Sequence, residues 1–277
     1  MRLEGKTALV TGAGTGIGAA IAHRLVADGA RVCLVGRRQS VLDETLAKLP
    51  VGSAVTVSAD ISIAGEVDGA VGVAVEFGKG SLDIVVNNAG IGPVGTIEDC
   101  DVDEWNQALA VNLTGPMLVT RAAIPYLRRN GGAVVNISSV AGRRAFPGLA
   151  AYCVSKAGLI MLTQQAAVDF GADGIRFNAV CPGWIRTPMS EQDMQAVIEI
   201  HGGDVDSAFA LVSRDTPLRR VAEPSEIAGV ISFLASDDAS FVSGEILAAD
   251  GGSTVLDVST LAFYDRSAAV LQMGVPP

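Results

Sequence analysis

Thr7-Ala8-Leu9-Val10-Thr11-Gly12-Ala13-Gly14-Thr15-Gly16-Ile17-Gly18 is the stretch on which the reading of this chain turns. The apolar run Lys6–Thr11 has the length of a buried strand, and from Ile17 to Asp28 apolar residues recur at helical spacing until Gly29 stops them. The glycines between let the backbone turn sharply and come close to a ligand. The helix that follows offers free N–H groups and the positive end of its dipole. Together these features suit a pyrophosphate. The G-x-G-x-x-G/A fingerprint fits only loosely, through Gly14, Gly16 and Ala19. Gly12, Gly16 and Gly18 after Thr11 form the more telling register. A glycine-rich turn without a ligand is the alternative, and the sites downstream weigh against it.

Working outward, short apolar runs alternate with helical patterns. Strands are expected at Arg31–Val35, Ala54–Ala59, Leu82–Val86, Gly132–Ile137, Ile175–Val180 and Ile246–Ala248. Helices are expected over Ser40–Leu49, Ala64–Phe77, Val102–Val111, Gly115–Arg129 and Tyr152–Phe170. Such βαβ alternation requires a parallel sheet with right-handed crossovers, the doubly wound architecture, whose ligands sit beyond the carboxyl ends of the strands. Met189–Pro217 breaks the rhythm and has the length of a lid or binding loop.

Composition agrees with one large α/β domain. Hydrophobic residues make up 49% and aromatics 5% of 277 residues, so the core is built from Ala, Val, Ile and Leu. The net charge of −10 argues against nucleic acid or an anionic membrane as partner. Cys33, Cys100, Cys153 and Cys181 are scattered, as expected of reduced thiols. His23 and His201 lie far apart, without metal-ligand spacing, and no metal is expected. The start, Met1-Arg2-Leu3-Glu4-Gly5-Lys6, is charged where a signal peptide is apolar, so the expected location is cytoplasmic.

At the end of the second strand, where an acid would clasp a ribose 2′-hydroxyl, the chain reads Gly36-Arg37-Arg38. Arginine there pairs with a 2′-phosphate, which favours NADP(H) while leaving NAD(H) open; solvated surface charges are the other reading. Asp60 after the third strand either accepts from an adenine amino group or caps the next helix.

Five further stretches complete the pattern: Asn87-Asn88-Ala89-Gly90, Ser139 thirteen residues before a tyrosine, Tyr152-x-x-x-Lys156, and the later Pro182-Gly183 and Asp250-Gly251-Gly252. In this order and spacing, from about Lys6 to Ser253, the chain resembles the short-chain dehydrogenase/reductase family of the single-domain kind. The resemblance implies a Rossmann-like domain with a seven-stranded parallel sheet and helices on both faces. It also implies hydride transfer between a nicotinamide dinucleotide and a carbonyl or secondary alcohol. Residues 1–253 would form the catalytic domain, including a substrate loop at 189–217, with 254–277 as an extension.

Tyr152 and Lys156 are four apart on a helix and share a face. A free tyrosine has a pKa near 10 and is a poor base at neutral pH; lowering it by roughly three units takes about 4 kcal/mol. The Lys156 ammonium and an oxidised nicotinamide are the expected sources. By resemblance, Lys156 also holds the nicotinamide ribose, and Ser139 hydrogen-bonds the substrate oxygen. Ser138 is the rival serine, but strand neighbours face opposite ways and the spacing to Tyr152 selects Ser139. Asn112 matches the family asparagine that positions a water beside Lys156; filling a polar gap inside a helix is its other reading. The catalytic set is thus Asn112, Ser139, Tyr152 and Lys156. The implied dinucleotide site draws on Gly12, Thr15, Gly16, Ile17, Gly18, Arg37, Asp60, Ile61, Asn87, Ala89, Gly90, Tyr152, Lys156, Pro182, Gly183, Ile185 and Thr187. Thr187 would meet the carboxamide or the pyrophosphate. Cys153, some 100° from Tyr152 around the helix, is expected to pack.

Specificity is expected from Ile91–Gly95, Val140–Phe146, Trp184 and Met189–Pro217. Met189, Met194, Ile198 and Phe209 suit an apolar pocket or simple helix packing. Arg143 and Arg144 would bind an acidic group or stand as loop charges. A dinucleotide-binding regulator without turnover would not need Tyr152, and a sugar-nucleotide epimerase would need a larger C-terminal domain. The small apolar residues on the helices around Ala122 and Ala166 resemble family interfaces and imply a homodimer or homotetramer. The 254–277 tail would cover a neighbouring active site or lack fixed structure.

Overall fold

In strand β1 (Thr7–Thr11) successive side chains face opposite sides, as strand geometry requires. Ala8 and Val10 enter one apolar layer and Leu9 the other. The same alternation runs through β2 (Arg31–Gly36), where Val32 and Leu34 oppose Cys33 and Val35. The remaining strands are β3 (Ala54–Ser58), β4 (Ile84–Asn87), β5 (Gly132–Ile137), β6 (Ile175–Pro182) and β7 (Ile246–Ala249). They form one parallel sheet in the order β3-β2-β1-β4-β5-β6-β7. This computed structural model describes residues 1–257, 259 and 261, so most of the C-terminal extension lies outside the described residues.

Helices cover both faces. On one, α1 (Gly16–Ala27) and a helix at Pro224–Ala235 bury Ile21 and Leu25 against Ile227, Ile231 and Leu234. On the other, α3 (Ala64–Phe77), α5 (Gly115–Leu127) and α6 (Ala150–Phe170) bury Val71, Val119, Leu127 and Ala166 with Phe177 of β6. The short α2 (Gln39–Leu46) links β2 to β3, and α4 (Val102–Leu109) precedes α5.

Three features depart from or add to the sequence reading. The stretch Met189–Pro217 is mostly helical, as α7 (Pro188–His201) and α8 (Val205–Val212). The helix Pro224–Ala235, here α9, falls in a segment the periodicity left unassigned; it is the crossover that a parallel β6–β7 pair needs. The two helices expected at Val102–Val111 and Gly115–Arg129 are joined without a loop by a turn of π-helix, Ala110–Thr114, which carries Asn112. Such turns concentrate at functional sites. No helix among the described residues is long and apolar enough to cross a membrane.

Candidate active site

The sheet order reverses between β1 and β4, and the cleft opens there, as doubly wound sheets dictate. Thr11 ties the two strands together: its hydroxyl accepts from the N–H of Asn88 (3.0 Å) and of Ala89 (3.1 Å). Asn88 returns the contact through Nδ2, donating to the carbonyls of Thr11 (3.0 Å) and Gly12 (3.2 Å). The cleft holds about 1830 Å3, well above the roughly 300–1,000 Å3 of a single small-ligand pocket.

At one end lies the glycine turn. Gly12 sits at φ +65°, and a Cβ there would press on Ala89 Cα at 2.9 Å; a Cβ on Gly18 would meet the Gly12 carbonyl at 2.1 Å. The turn therefore has room for backbone alone. Thr15 at the head of α1 makes no capping bond, and the first turn holds no acid. The N–H groups and the positive helix end stay available to an anion, so these residues fit a dinucleotide pyrophosphate. Thr187 reaches this turn from across the cleft, its Cγ2 standing 3.1 Å from where a Gly16 Cβ would be. The exposed Arg37 and Arg38 line the cleft at the end of β2. Asp60 Oδ1 accepts from the N–H (2.9 Å) and hydroxyl (2.6 Å) of Ser62, which hold its carboxyl below the usual range, with Arg37 contributing. Asp60 thus closes a turn before α3 and does not cap that helix, whose N-cap is Ile63 without a side-chain cap. Ile17, Ile61, Gly90, Pro182, Gly183 and Ile185 also line the cleft.

Asn87 does not. As the last residue of β4 it is buried and donates to Asn136 Oδ1 at 2.8 Å, and Asn136 donates on to Thr163 Oγ1 at 2.8 Å. This polar ladder lies inside the molecule, and Asn88 meets the cleft instead. Alternation along the strand is the reason, and it was the signal available in the sequence.

At the other end stand Ser139, Tyr152 and Lys156, which the fold brings to one wall. Ser139 follows β5, heads a short turn and accepts from the Ala141 N–H at 3.1 Å. Ser138 faces away: its hydroxyl donates to the Lys156 carbonyl at 2.9 Å. Burial pushes the Tyr152 hydroxyl above its ordinary 10, a hydrogen bond with Ser139 opposes this, and the charge of Asp193 adds to it. Burial likewise drives Lys156 down to about 8. Lys156 alone does not offset burial at the Tyr152 hydroxyl; the expected lowering draws on Lys156 and an oxidised nicotinamide together. Nζ is 5.7 Å from the Tyr152 ring centroid and donates instead to the Ile137 carbonyl at 2.8 Å.

Asn112 is buried in the π-turn. Its Oδ1 accepts from the Ile91 N–H (2.9 Å), and its Nδ2 donates to the Ile91 carbonyl (2.8 Å) and Ser155 Oγ (3.0 Å). A Cβ on Gly90 would lie 3.2 Å from both Asn112 Oδ1 and Lys156 Nζ, so the two polar groups flank that glycine. Of the apolar residues weighed for the substrate pocket, Met189 lines the cleft, whereas Met194, Ile198 and Phe209 pack between α7 and α8. Arg144 donates to the carbonyls of Ser253 and Thr254 and so holds the start of the extension.

A glycine turn at the switch point, facing a serine, a tyrosine and a lysine, defines a nicotinamide-dependent oxidoreductase of the Tyr-x-x-x-Lys class. The chain belongs to the short-chain dehydrogenase/reductase family, in which it is an alcohol dehydrogenase or ketoreductase: residues 12–254 match the family model described as Enoyl-(Acyl carrier protein) reductase. It is 35% identical to meso-2,3-butanediol dehydrogenase of Serratia marcescens, over 93% of this chain and 98% of the relative. It is 38% identical to 2-(S)-hydroxypropyl-CoM dehydrogenase 3 of Xanthobacter autotrophicus, over 92% and 99%. The crystal structure of levodione reductase superposes with a TM-score of 0.87 at 34% identity, covering 92% of this chain and all of that one.

Proposed function

We propose that the protein moves hydride between NADP(H), in preference to NAD(H), and a small secondary alcohol or its ketone, with Tyr152 as proton acceptor and donor. The observation that carries this reading is the convergence of Ser139, Tyr152 and Lys156 on one wall of a cleft that begins at the glycine turn. The nicotinamide, when bound, supplies or takes the hydride. In the oxidising direction Tyr152 accepts the alcohol proton as the C–H hydride leaves, and in reduction it returns that proton to the carbonyl oxygen. Ser139 donates to the same oxygen where negative charge develops. Lys156 holds the nicotinamide ribose and, through Asn112 and a water, passes protons to solvent. The glycine turn and Thr187 take the pyrophosphate, Asp60 and Ile61 flank the adenine, and Arg37 takes the 2′-phosphate.

Residues 1–253 form the catalytic domain, with 189–217 as its substrate segment. The relatives named above act, by their names, on hydroxyl-bearing compounds, which supports an alcohol–ketone pair here. The test is a panel of secondary alcohols and ketones offered with each cofactor, read at the nicotinamide absorbance band. Turnover of at least one pair supports the reading. No turnover with either cofactor overturns it and leaves a dinucleotide-binding regulator.

A further inference from the structure

We infer that Asp193 sets substrate charge: it selects alcohols and ketones bearing a cationic amine or a hydroxyl near the reacting carbon, and rejects those bearing a carboxylate. The inference rests on the oxidoreductase reading and names its substrate class.

The argument begins with α7. Thr187 and Ser190 close a capping box at its start, and Pro188 occupies the first turn, so the helix has a fixed beginning. Arg186, just before it, pairs with Asp206 of α8 at 2.7 Å and stacks over the Phe209 ring at 4.6 Å. Met194 is fully buried against Phe209. These contacts fix the rotation of α7. One face, Met189, Gln192, Asp193 and Ala196, then lines the cleft at the spacing a helix stripe requires.

Charge decides what that face can recognise. At this end of the cleft the other charged groups are engaged. Lys156 donates to Ile137, Arg144 to Ser253 and Thr254, and Arg220 binds Glu226 at 2.7 Å. Asp250 accepts from the N–H groups of Gly252 (2.9 Å) and Thr254 (2.8 Å). Arg37 and Arg38 lie beyond the switch point, after β2. Asp193 makes no hydrogen bond or ion pair with any described residue. Its outer side is open to solvent, yet the cleft wall desolvates it enough to raise its carboxyl above the ordinary range. It also acts on the Tyr152 hydroxyl, in the same direction as the larger effect of burial. An unpaired carboxylate that senses the reacting tyrosine attracts a donor or cation on the substrate and repels an anion across the same gap.

The test uses three secondary alcohols of one skeleton, differing in the group on the neighbouring carbon: 1-amino-2-propanol (cationic), 1,2-propanediol (neutral) and 3-hydroxybutyrate (anionic). Each is titrated by calorimetry into the full-length enzyme saturated with reduced cofactor, with which an alcohol cannot react. The expected order of affinity is cation, then neutral, then anion, with the ends at least about tenfold apart. Asp193→Asn should collapse that ratio to within about twofold, and Asp193→Lys should invert it. Equal affinities, binding of none of the three, or a ratio unchanged in Asp193→Asn overturns the inference. Binding is read without turnover, so failure of the charge preference is distinguishable from failure of the oxidoreductase reading.

Discussion

Ser138 and Lys156 lock β5 to α6 from both sides: the serine hydroxyl donates to the Lys156 carbonyl at 2.9 Å, and the lysine ammonium donates at 2.8 Å to the carbonyl of Ile137, the residue before the serine. The end of β5 is thereby clamped to α6 inside the molecule. A Cβ on Gly142 would come within 2.8 Å of the Lys156 carbonyl, so the turn after Ser139 packs directly on that helix. Ser139 and Tyr152, carried on the two clamped elements, keep their mutual position without help from a ligand. Preorganisation of this kind removes reorganisation from the chemical step.

Tyr152→Phe removes the proposed proton-transfer group and leaves the wall intact. Turnover is expected to fall below about a tenth of wild type, with cofactor affinity within about twofold. Lys156→Ala is expected to lower both, since it removes a cofactor contact and the clamp together. Steady-state kinetics and cofactor fluorescence titration check the pair; a Tyr152→Phe enzyme with near-normal rate sinks the assignment.

Lys156 makes stability depend on pH in a defined sense. Its folded pKa is about 8, against the ordinary 10.5 of a free lysine. Between these values the unfolded chain binds the extra proton, so this group's contribution to stability rises with pH. Below about 8 the lysine is charged in both states, and the cost of burying the charge is constant. The denaturation midpoint of wild type is therefore expected to gain on that of Lys156→Met as the pH moves from below 8 toward 10. Parallel curves count against a buried, partly neutral lysine.

Arg37→Ala tests cofactor choice. A charge-assisted bond to a 2′-phosphate in a partly exposed site is worth about 1.5–3 kcal/mol, or roughly ten- to a hundredfold in affinity. The wild type is expected to bind NADPH more tightly than NADH, and the variant to lose most of that margin. Equal binding of the two by the wild type overturns the assignment.

Assembly follows from exposed apolar surface. On α6, Val154, Met161 and Val168 are 50%, 62% and 79% exposed, and Met117 of α5 lies partly open. Light scattering at micromolar concentration is expected to report a dimer or tetramer. Charged substitutions at Met161 and Val168 are expected to dissociate it, and a wild-type monomer refutes the idea.

Much of the site was legible because its requirements are local. Gly12 and Gly18 stand where only bare backbone fits, Gly16 takes a positive φ of +51°, and Tyr152 and Lys156 share a helix face by spacing alone. Asn87 departs from the expectation for an equally local reason: strand alternation turns it inward and brings Asn88 to the cleft. The helix α9 and the helices α7 and α8 were harder, because their apolar residues serve tertiary partners. Ile227 and Ile231 pack across α1, and Met194 and Phe209 pack on each other.

What the sequence by itself determined is the sheet, the glycine turn and the identity of the side chains proposed to react, since strand burial and backbone clearance depend on short stretches of chain. What only the tertiary structure decided is the electrostatics. Lys156 sits at about 8 because helix and strand together bury it, and its ammonium serves Ile137 rather than the Tyr152 oxygen. Arg144 is tied to Ser253 and Thr254, more than a hundred residues away in sequence, while Asp193 has no partner among the described residues. Desolvation and pairing depend on every element around a charge, and no single segment carries that information.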